Sequence, residues 1–107
     1  MEEIQSKVFK ALSDPTRRQI FERLTQAEEE TVHAITVQAG ISQPAVSKHL
    51  KVLKGVGLVK DRPVGRQTFF SADPKGLSPL IDWMKHYGIF WRERFDNLEN
   101  LLERMDQ

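Results

Sequence analysis

The chain has 107 residues, a formal net charge of +1 and no cysteine. It is long enough for one domain, and the missing cysteines exclude disulfides, thiolate metal sites and thiol redox sensing. The charge is segregated: residues 42–66 carry six basic and one acidic side chain, a net +5, whereas residues 1–31 carry five basic and seven acidic, a net −2. A cationic segment of this kind is typical of a phosphate-binding surface.

The first elements in chain order are two amphipathic helices. Apolar residues at helical spacing predict a helix over 2–12. Asp14 is a suitable N-cap with Pro15 at the first helical position, which predicts a second helix ending near Thr25. We interpret the three glutamates at 28–30 as a solvated loop.

A helix-turn-helix follows at about residues 32–54. Thr31 can cap a short helix that runs through Ala39, and Gly40 supplies the left-handed residue that ends many helices. Ser42 can cap the next helix. So short a connection predicts that the two helices cross at a steep angle, as in a helix-turn-helix.

The pattern then changes to a β-hairpin, which we place at about residues 58–71. Pro63-Val64-Gly65-Arg66 supplies the turn, and apolar residues lie on either side of it. Pro63 cannot donate to a strand ladder, so it is expected at the tip or on an edge. The hairpin would form a wing beside the helix-turn-helix.

The rest of the chain is predicted as one long helix over about 79–105, with Ser78 as its N-cap. Its apolar residues follow steps of four and three and form a continuous stripe. They are Leu80, Met84, Tyr87, Trp91, Phe95, Leu98, Leu102 and Met105. Trp83, Phe90 and Leu101 widen the stripe beyond what the core of one subunit could cover, so dimer packing is favoured. An effector pocket lined by Trp83, Tyr87, Phe90 and Trp91 stays open as the alternative.

The second helix of the helix-turn-helix has two distinct faces. Ala45, Val46, His49, Leu50, Val52 and Leu53 fall on the apolar face, and Gln43, Pro44, Ser47, Lys48, Lys51 and Lys54 on the polar face. The polar face carries the groups that read a major groove: Gln43 suits adenine, Lys48 suits guanine, and Ser47 suits a base or a phosphate. Lys51 and Lys54 are placed for the DNA backbone. Arg62 and Arg66 bracket the turn of the hairpin, so the wing would reach the adjacent minor groove or the backbone through them.

The segments 8–18, VFKALSDPTRR, and 41–53, ISQPAVSKHLKVL, followed by Gly57-Leu58-Val59, closely resemble the ArsR family of bacterial repressors. The resemblance runs from about residue 4 to residue 72. It implies a mainly α winged helix-turn-helix with a small β-hairpin and a long C-terminal dimerisation helix. It further implies a homodimeric repressor that binds double-stranded DNA at a palindromic operator and is released by an inducer.

The resemblance also implies the site residues. Operator contacts would fall on Ser42, Gln43, Ser47, Lys48 and Lys51, and wing contacts on Arg62 and Arg66. With the first and last helices forming the dimer interface, the interface residues would be Ile4, Val8, Met84, Tyr87, Trp91, Phe95, Leu98 and Leu102.

The chain departs from the metal-sensing members of that family. It has no cysteine pair, and its last helix has a single histidine, His86, beside carboxylates such as Asp82, Glu93 and Asp96. Asp82 and His86 could share a helix face, but two ligands are too few for a tight zinc site. We therefore predict no metal and no cofactor, and the effector stays unidentified.

Two other classes of function compete with a DNA-binding regulator. A winged-helix module that binds only proteins is the alternative, although it would not need the cationic segment. An enzyme is not predicted, because Ser47 and His49 lie on different helix faces and no acid, phosphate loop or metal cluster supports catalysis. With neither a membrane-length apolar segment nor a signal-peptide pattern at its start, the protein is expected in the cytoplasm.

Overall fold

The structure is a computed structural model that describes residues 2–105, except the side chains of Glu2, Trp91, Leu98 and Leu102. Its helices are α1 (Glu2–Ser13), α2 (Pro15–Gln26), α3 (Val32–Ala39), α4 (Gln43–Gly55), α5 (Ser78–Lys85) and α6 (Gly88–Met105). Its strands are β1 (Glu30–Thr31), β2 (Val59–Val64) and β3 (Gln67–Ala72), and a 3-10 helix spans Pro74–Leu77. The predicted fold class, mainly α with a small β-hairpin, is confirmed.

Local hydrogen bonds set the junction between α1 and α2. The Asp14 carboxylate accepts from the backbone N–H of Arg17 at 2.8 Å, which caps α2 and holds the pKa of Asp14 below its ordinary value. Arg17 and Arg18 point back and donate to the carbonyls of Ala11 and Leu12, at 2.6 and 2.8 Å. The same short segment therefore ends one helix and begins the next.

The turn between α3 and α4 has the conformation that the sequence predicts. Thr31 Oγ1 accepts from the N–H of Ala34 at 3.2 Å and caps α3. Gly40 adopts a φ of +69°, the left-handed conformation that glycine takes most readily. Ser42 Oγ then accepts from the N–H of Ala45 at 3.3 Å and caps α4.

The wing belongs to a three-stranded antiparallel sheet in the order β1-β3-β2. Interpreting residues 28–30 as a solvated loop was wrong at Glu30, which pairs with Phe70 in the sheet. A strand of two residues has no periodicity of its own, so only its partner β3 reveals it. The hairpin turn consists of Gly65 and Arg66, and Pro63 lies on the edge strand β2, where its missing N–H is tolerated.

The hydrophobic core lies between the first four helices and the sheet. Its fully buried side chains include Val8 of α1, Leu24 of α2, Ile35 of α3 and Leu50 of α4. Leu58 and Val59 close the core where α4 passes into the wing. The two helices of the helix-turn-helix therefore pack on the core through their apolar faces.

The prediction of one long C-terminal helix was wrong, because α5 and α6 are separate. The N–H of His86 bonds to the carbonyl of Trp83 and that of Tyr87 to the carbonyl of Met84, which tightens the last turn of α5 before Gly88 begins α6. Ser78 is not the N-cap that was predicted but the first residue of α5. Within residues 2–105, no helix combines the length and apolar character needed to cross a bilayer.

Candidate nucleic-acid interface

The helix α4 presents its polar face to solvent. Its core-facing residues Val46, Leu50 and Leu53 are almost fully buried. The predicted base- and phosphate-contacting side chains at or on this helix are all exposed: Ser42, Gln43, Ser47, Lys48, Lys51 and Lys54. Their hydroxyl, amide and ammonium groups lie on one surface, and the first helical residue, Gln43, is among them.

Three residues assigned to the apolar face of α4 are not fully buried: Ala45, His49 and Val52. Val52 is 40% exposed and does not belong to the core, contrary to the sequence prediction. His49 and Ala45 are half-buried. These positions border the core, where a helical projection by sequence alone does not separate buried from exposed side chains.

The wing carries two arginines in different environments. Arg66 is exposed at the turn. Arg62 instead reaches across the sheet and donates through Nε and Nη2 to the two carboxylate oxygens of Glu29, at 3.0 and 2.9 Å. The guanidinium also lies 5.2 Å from the centre of the Phe69 ring. This bidentate pair holds the pKa of Glu29 below its ordinary value and raises that of Arg62.

A second ion pair joins the end of α4 to the wing. Lys54 Nζ lies 2.9 Å from the carboxylate of Asp61. With Arg62 paired to Glu29, two of the six cations in the segment 42–66 have partners within the chain. The other four, Lys48, Lys51, Lys60 and Arg66, form no ion pair with any residue in the described part of the chain.

A groove of about 270 Å³ connects the exposed polar face of α4 to the wing. Its walls come from the junction of β1 and α3, the first residue of α4 and the hairpin turn. The lining residues are Thr31, Val32, His33, Gln43, Arg66, Gln67 and Thr68. Gln43 and Arg66, which belong to separate sequence motifs, are thus brought to the same groove. His33, Gln67 and Thr68 were not predicted as site residues, because no motif marks them and only the pairing of β1 with β3 places them there.

A second surface of the molecule is apolar and lies on α1, α5 and α6. Phe9 and Trp83 meet edge to face with ring centres 5.4 Å apart, and Trp83 contacts Tyr87 at 5.0 Å. Every described side chain of α6 beyond Gly88 is exposed, including Phe95 at 61%. Several large apolar side chains are exposed along α6: Ile89, Phe90, Phe95, Leu101 and Met105. An exposed apolar surface of this extent indicates that another chain covers it.

The predicted interface residues do not all lie on this apolar surface. Ile4, Met84, Tyr87 and Phe95 are exposed there. Val8 is fully buried in the core of its own chain, so its side chain has no surface to offer a second copy, and its assignment to the interface is corrected. The side chains of Trp91, Leu98 and Leu102 lie outside the described part of the structure.

The pair considered as metal ligands, Asp82 and His86, is exposed on α5 and just beyond it. Among the described residues, no three acidic or histidine side chains come together in a way that could hold a metal ion. A cavity of about 210 Å³ lies beside Asp82, lined also by Ile4, Gln5, Ser78 and Pro79. Of the aromatic residues considered for an alternative effector pocket, the three with described side chains, Trp83, Tyr87 and Phe90, do not line it.

The amino-acid sequence is similar to those of known transcriptional regulators. Residues 12–62 match a helix-turn-helix domain family. The chain is 45% identical over 74 residues to an HTH-type transcriptional regulator of Mycobacterium tuberculosis, with 69% of this chain and 68% of that protein covered. It is 35% identical over 82 residues to the transcriptional repressor SdpR of Bacillus subtilis, with 77% and 90% covered.

Solved structures are also similar to this chain, and one of them is similar over most of the length of both proteins. It is the solution NMR structure of a homodimeric winged helix-turn-helix DNA-binding domain from Mycobacterium bovis, described as a possible ArsR-family transcriptional regulator. The TM-score is 0.65 at 28% identity, with 80% of this chain and 79% of that chain covered. The similarity therefore extends well beyond the helix-turn-helix itself.

Proposed function

Because the chain belongs to the ArsR family of winged helix-turn-helix transcriptional regulators, we propose that it represses transcription as a homodimer bound to a palindromic operator. It is a DNA-binding transcriptional regulator, in line with relatives named as a transcriptional regulator and a transcriptional repressor and with a similar DNA-binding domain. The observation that carries the proposal is the orientation of α4, which buries Val46, Leu50 and Leu53 and exposes its amide, hydroxyl and ammonium groups. A regulator of this kind acts where the chromosome lies, which in a bacterial cell is the cytoplasm.

The polar surface of α4 would read the operator in the major groove. Gln43 can pair with the edge of an adenine and Lys48 with a guanine, and Ser42 and Ser47 are near enough to the helix start to bond bases or phosphates. Lys51 would neutralise backbone phosphates. These contacts need a helix whose N-terminal end is free, and Gln43 is exposed at that end.

The remaining predicted contacts involve side chains that already have partners. Lys54 forms an ion pair with Asp61, and Arg62 forms one with Glu29, so a DNA phosphate would compete with these carboxylates. We propose that both contribute less to phosphate binding than Arg66, which has no ion pair with another described residue. The wing would thus contact the DNA chiefly through its turn.

The dimer would form through the apolar surface of α1, α5 and α6. Ile4, Met84, Tyr87 and Phe95 supply exposed apolar area there. A symmetric dimer buries the same surface on both copies and sets two recognition helices into successive major grooves about 34 Å apart. The palindromic operator follows from that symmetry.

The effector that releases the repressor is proposed to be something other than a thiol-bound metal. The chain has no cysteine, and the segment from Ser78 to Met105 contains one histidine, His86. Soft metals bind through thiolates, and zinc needs about four nitrogen, sulfur or carboxylate ligands. This chain therefore lacks the chemistry of a thiolate metal sensor.

The test begins with the selection of bound sequences from a random DNA pool, followed by affinity measurements on the selected operator. The double variant Gln43→Ala with Lys48→Ala should lose about 2 kcal/mol or more of operator binding, roughly thirtyfold, because each removes a base contact worth about 1–3 kcal/mol. Its thermal unfolding midpoint should stay unchanged, since both side chains are exposed.

The matched control is Gln26→Ala with Lys75→Ala, which removes the same residue types from exposed positions outside the proposed surface. It should bind like the wild type. If the wild-type protein selects no sequence and its binding to DNA does not weaken with salt, the alternative of a protein-interaction module replaces the proposal.

A further inference from the structure

The groove between α3, α4 and the wing has the chemistry of an anion site. Thr31, Gln43, Gln67 and Thr68 bring hydroxyl and amide donors to it, and His33 brings an imidazole. Val32 is the single apolar lining residue, and none of the lining residues is acidic. The groove is therefore rich in hydrogen-bond donors, and its lining contains no group that would repel a negative charge.

The ion pairs around the groove leave its positive charge uncompensated. The two glutamates that precede Thr31 are both engaged elsewhere, Glu29 with Arg62 and Glu30 with Arg23. Arg66 has no ion pair with another described residue, and its guanidinium can donate two parallel hydrogen bonds to an oxyanion.

The hydroxyl of Thr31 adds a donor that the fold has already oriented. Its oxygen accepts from the N–H of Ala34 at 3.2 Å, which leaves the hydroxyl hydrogen free to donate. The pairing of Thr31 with Phe69 keeps this hydroxyl beside the start of β3, where Gln67 and Thr68 lie. Thr31, Gln67 and Thr68, which lie far apart in the sequence, therefore line the same groove.

We propose that this groove binds a single phosphate of the operator backbone and that His33 and Gln67 are phosphate-contacting residues. The inference rests on the proposed DNA-binding function and deepens it. A phosphate held there would touch the first residue of α4 and the turn of the wing together. It would fix the register of the recognition helix and of the wing on the same strand, independently of base sequence.

The decisive experiment replaces the operator phosphates one at a time by uncharged methylphosphonates. In each half-site, one replacement should weaken binding of the wild-type dimer about tenfold. The same replacement should cost less than twofold in Arg66→Ala and in His33→Ala with Gln67→Ala, because those variants have already lost the contact. Arg66→Ala should also lower the slope of log affinity against log salt concentration by about 0.9 per phosphate contact.

Two control variants make the assignment specific. Lys51→Ala should still lose affinity when the groove phosphate is replaced by a methylphosphonate. It should become insensitive to replacement of a different phosphate, because Lys51 lies farther along α4. Gln38→Ala, exposed on α3 and outside the groove, should behave like the wild type at every phosphate.

The proposal fails if the wild type binds its operator but every methylphosphonate replacement that weakens its binding weakens the binding of Arg66→Ala and of His33→Ala with Gln67→Ala by the same factor. That result would leave the proposed function standing, whereas a wild type that selects no operator would contradict the function itself. A free anion is tested by titrating inorganic phosphate against chloride at matched ionic strength while following the imidazole NMR signals of His33. A saturable shift that disappears in Arg66→Ala, without loss of any phosphate contact in DNA, would assign the groove to a small phosphate ligand and overturn the DNA assignment.

Discussion

Gly76 is the position where a single added methyl group is expected to damage the fold most. It lies in the 3-10 helix, which packs against the turn that follows α4. A Cβ at this position would lie 2.1 Å from the carbonyl oxygen of Gly57, 2.7 Å from its carbonyl carbon and 2.8 Å from the Cα of Leu58. These are all backbone atoms, and ordinary contacts between carbon atoms are about 3.5–4.0 Å.

The overlap with the Gly57 oxygen is therefore severe and cannot be relieved by rotating a side chain. Forcing extra atoms into packed structure typically costs about 1–3 kcal/mol, and the upper end is expected here because backbone must move. The surrounding hydrogen bonds resist that movement: Asp73 N–H bonds to the Leu58 carbonyl and Leu58 N–H to the Leu53 carbonyl, both at 2.9 Å. Gly76→Ala should lower the thermal midpoint by roughly 12 °C or more, since about 3 kcal/mol is lost at about 4–8 °C per kcal/mol for a chain of this size.

Gly55→Ala is the matched control, because it introduces the same methyl group with nothing within 4 Å of it. Gly55 is the last residue of α4, so alanine there should leave stability unchanged or raise it by up to about 1 kcal/mol. Both variants are compared with the wild type by thermal unfolding at equal protein concentration, since a dimer's midpoint depends on concentration. If Gly76→Ala unfolds at the wild-type temperature, the close approach of the 3-10 helix to the α4 turn is refuted.

Two further predictions concern the wing and the dimer. Glu29→Gln should free Arg62 for phosphate and steepen the salt dependence of DNA binding by up to about 0.9 per contact, whereas Glu28→Gln, which removes the same charge from a residue with no ion pair among the described residues, should not. Because Arg62 lowers the pKa of Glu29, the stabilisation from this pair is fully present above the ordinary carboxyl value of 4.5 and is lost as the pH falls through the lowered pKa. The free energies of unfolding of the wild type and of Glu29→Gln should therefore become equal only in acid. Tyr87→Ala with Phe95→Ala should give monomers in sedimentation velocity, while Lys75→Ala, exposed outside the apolar surface, should stay dimeric; a dimeric double variant would mean that other residues hold the interface.

Features that depend on local interactions could be predicted from the amino-acid sequence alone. Asp14, Thr31 and Ser42 cap helices through bonds to N–H groups three residues ahead, so their positions fix the helix starts whatever the rest of the fold does. Gly40 likewise ends α3 through its own backbone conformation. The two faces of α4 follow from a period of 3.6 residues, and this period is sufficient to place Gln43 on the exposed polar surface.

Features that depend on partners distant in the chain could not be predicted and emerge only when the elements pack together. The strand β1 exists because β3 pairs with it, and Glu29 meets Arg62 across 33 positions of the chain, a separation over which residue patterns carry no signal. The burial of Val8 inside its own subunit has the same origin, because the helices that pack over it close that part of the core. The groove around His33 also follows from long-range pairing, since the sheet brings the end of one loop to the turn of the wing.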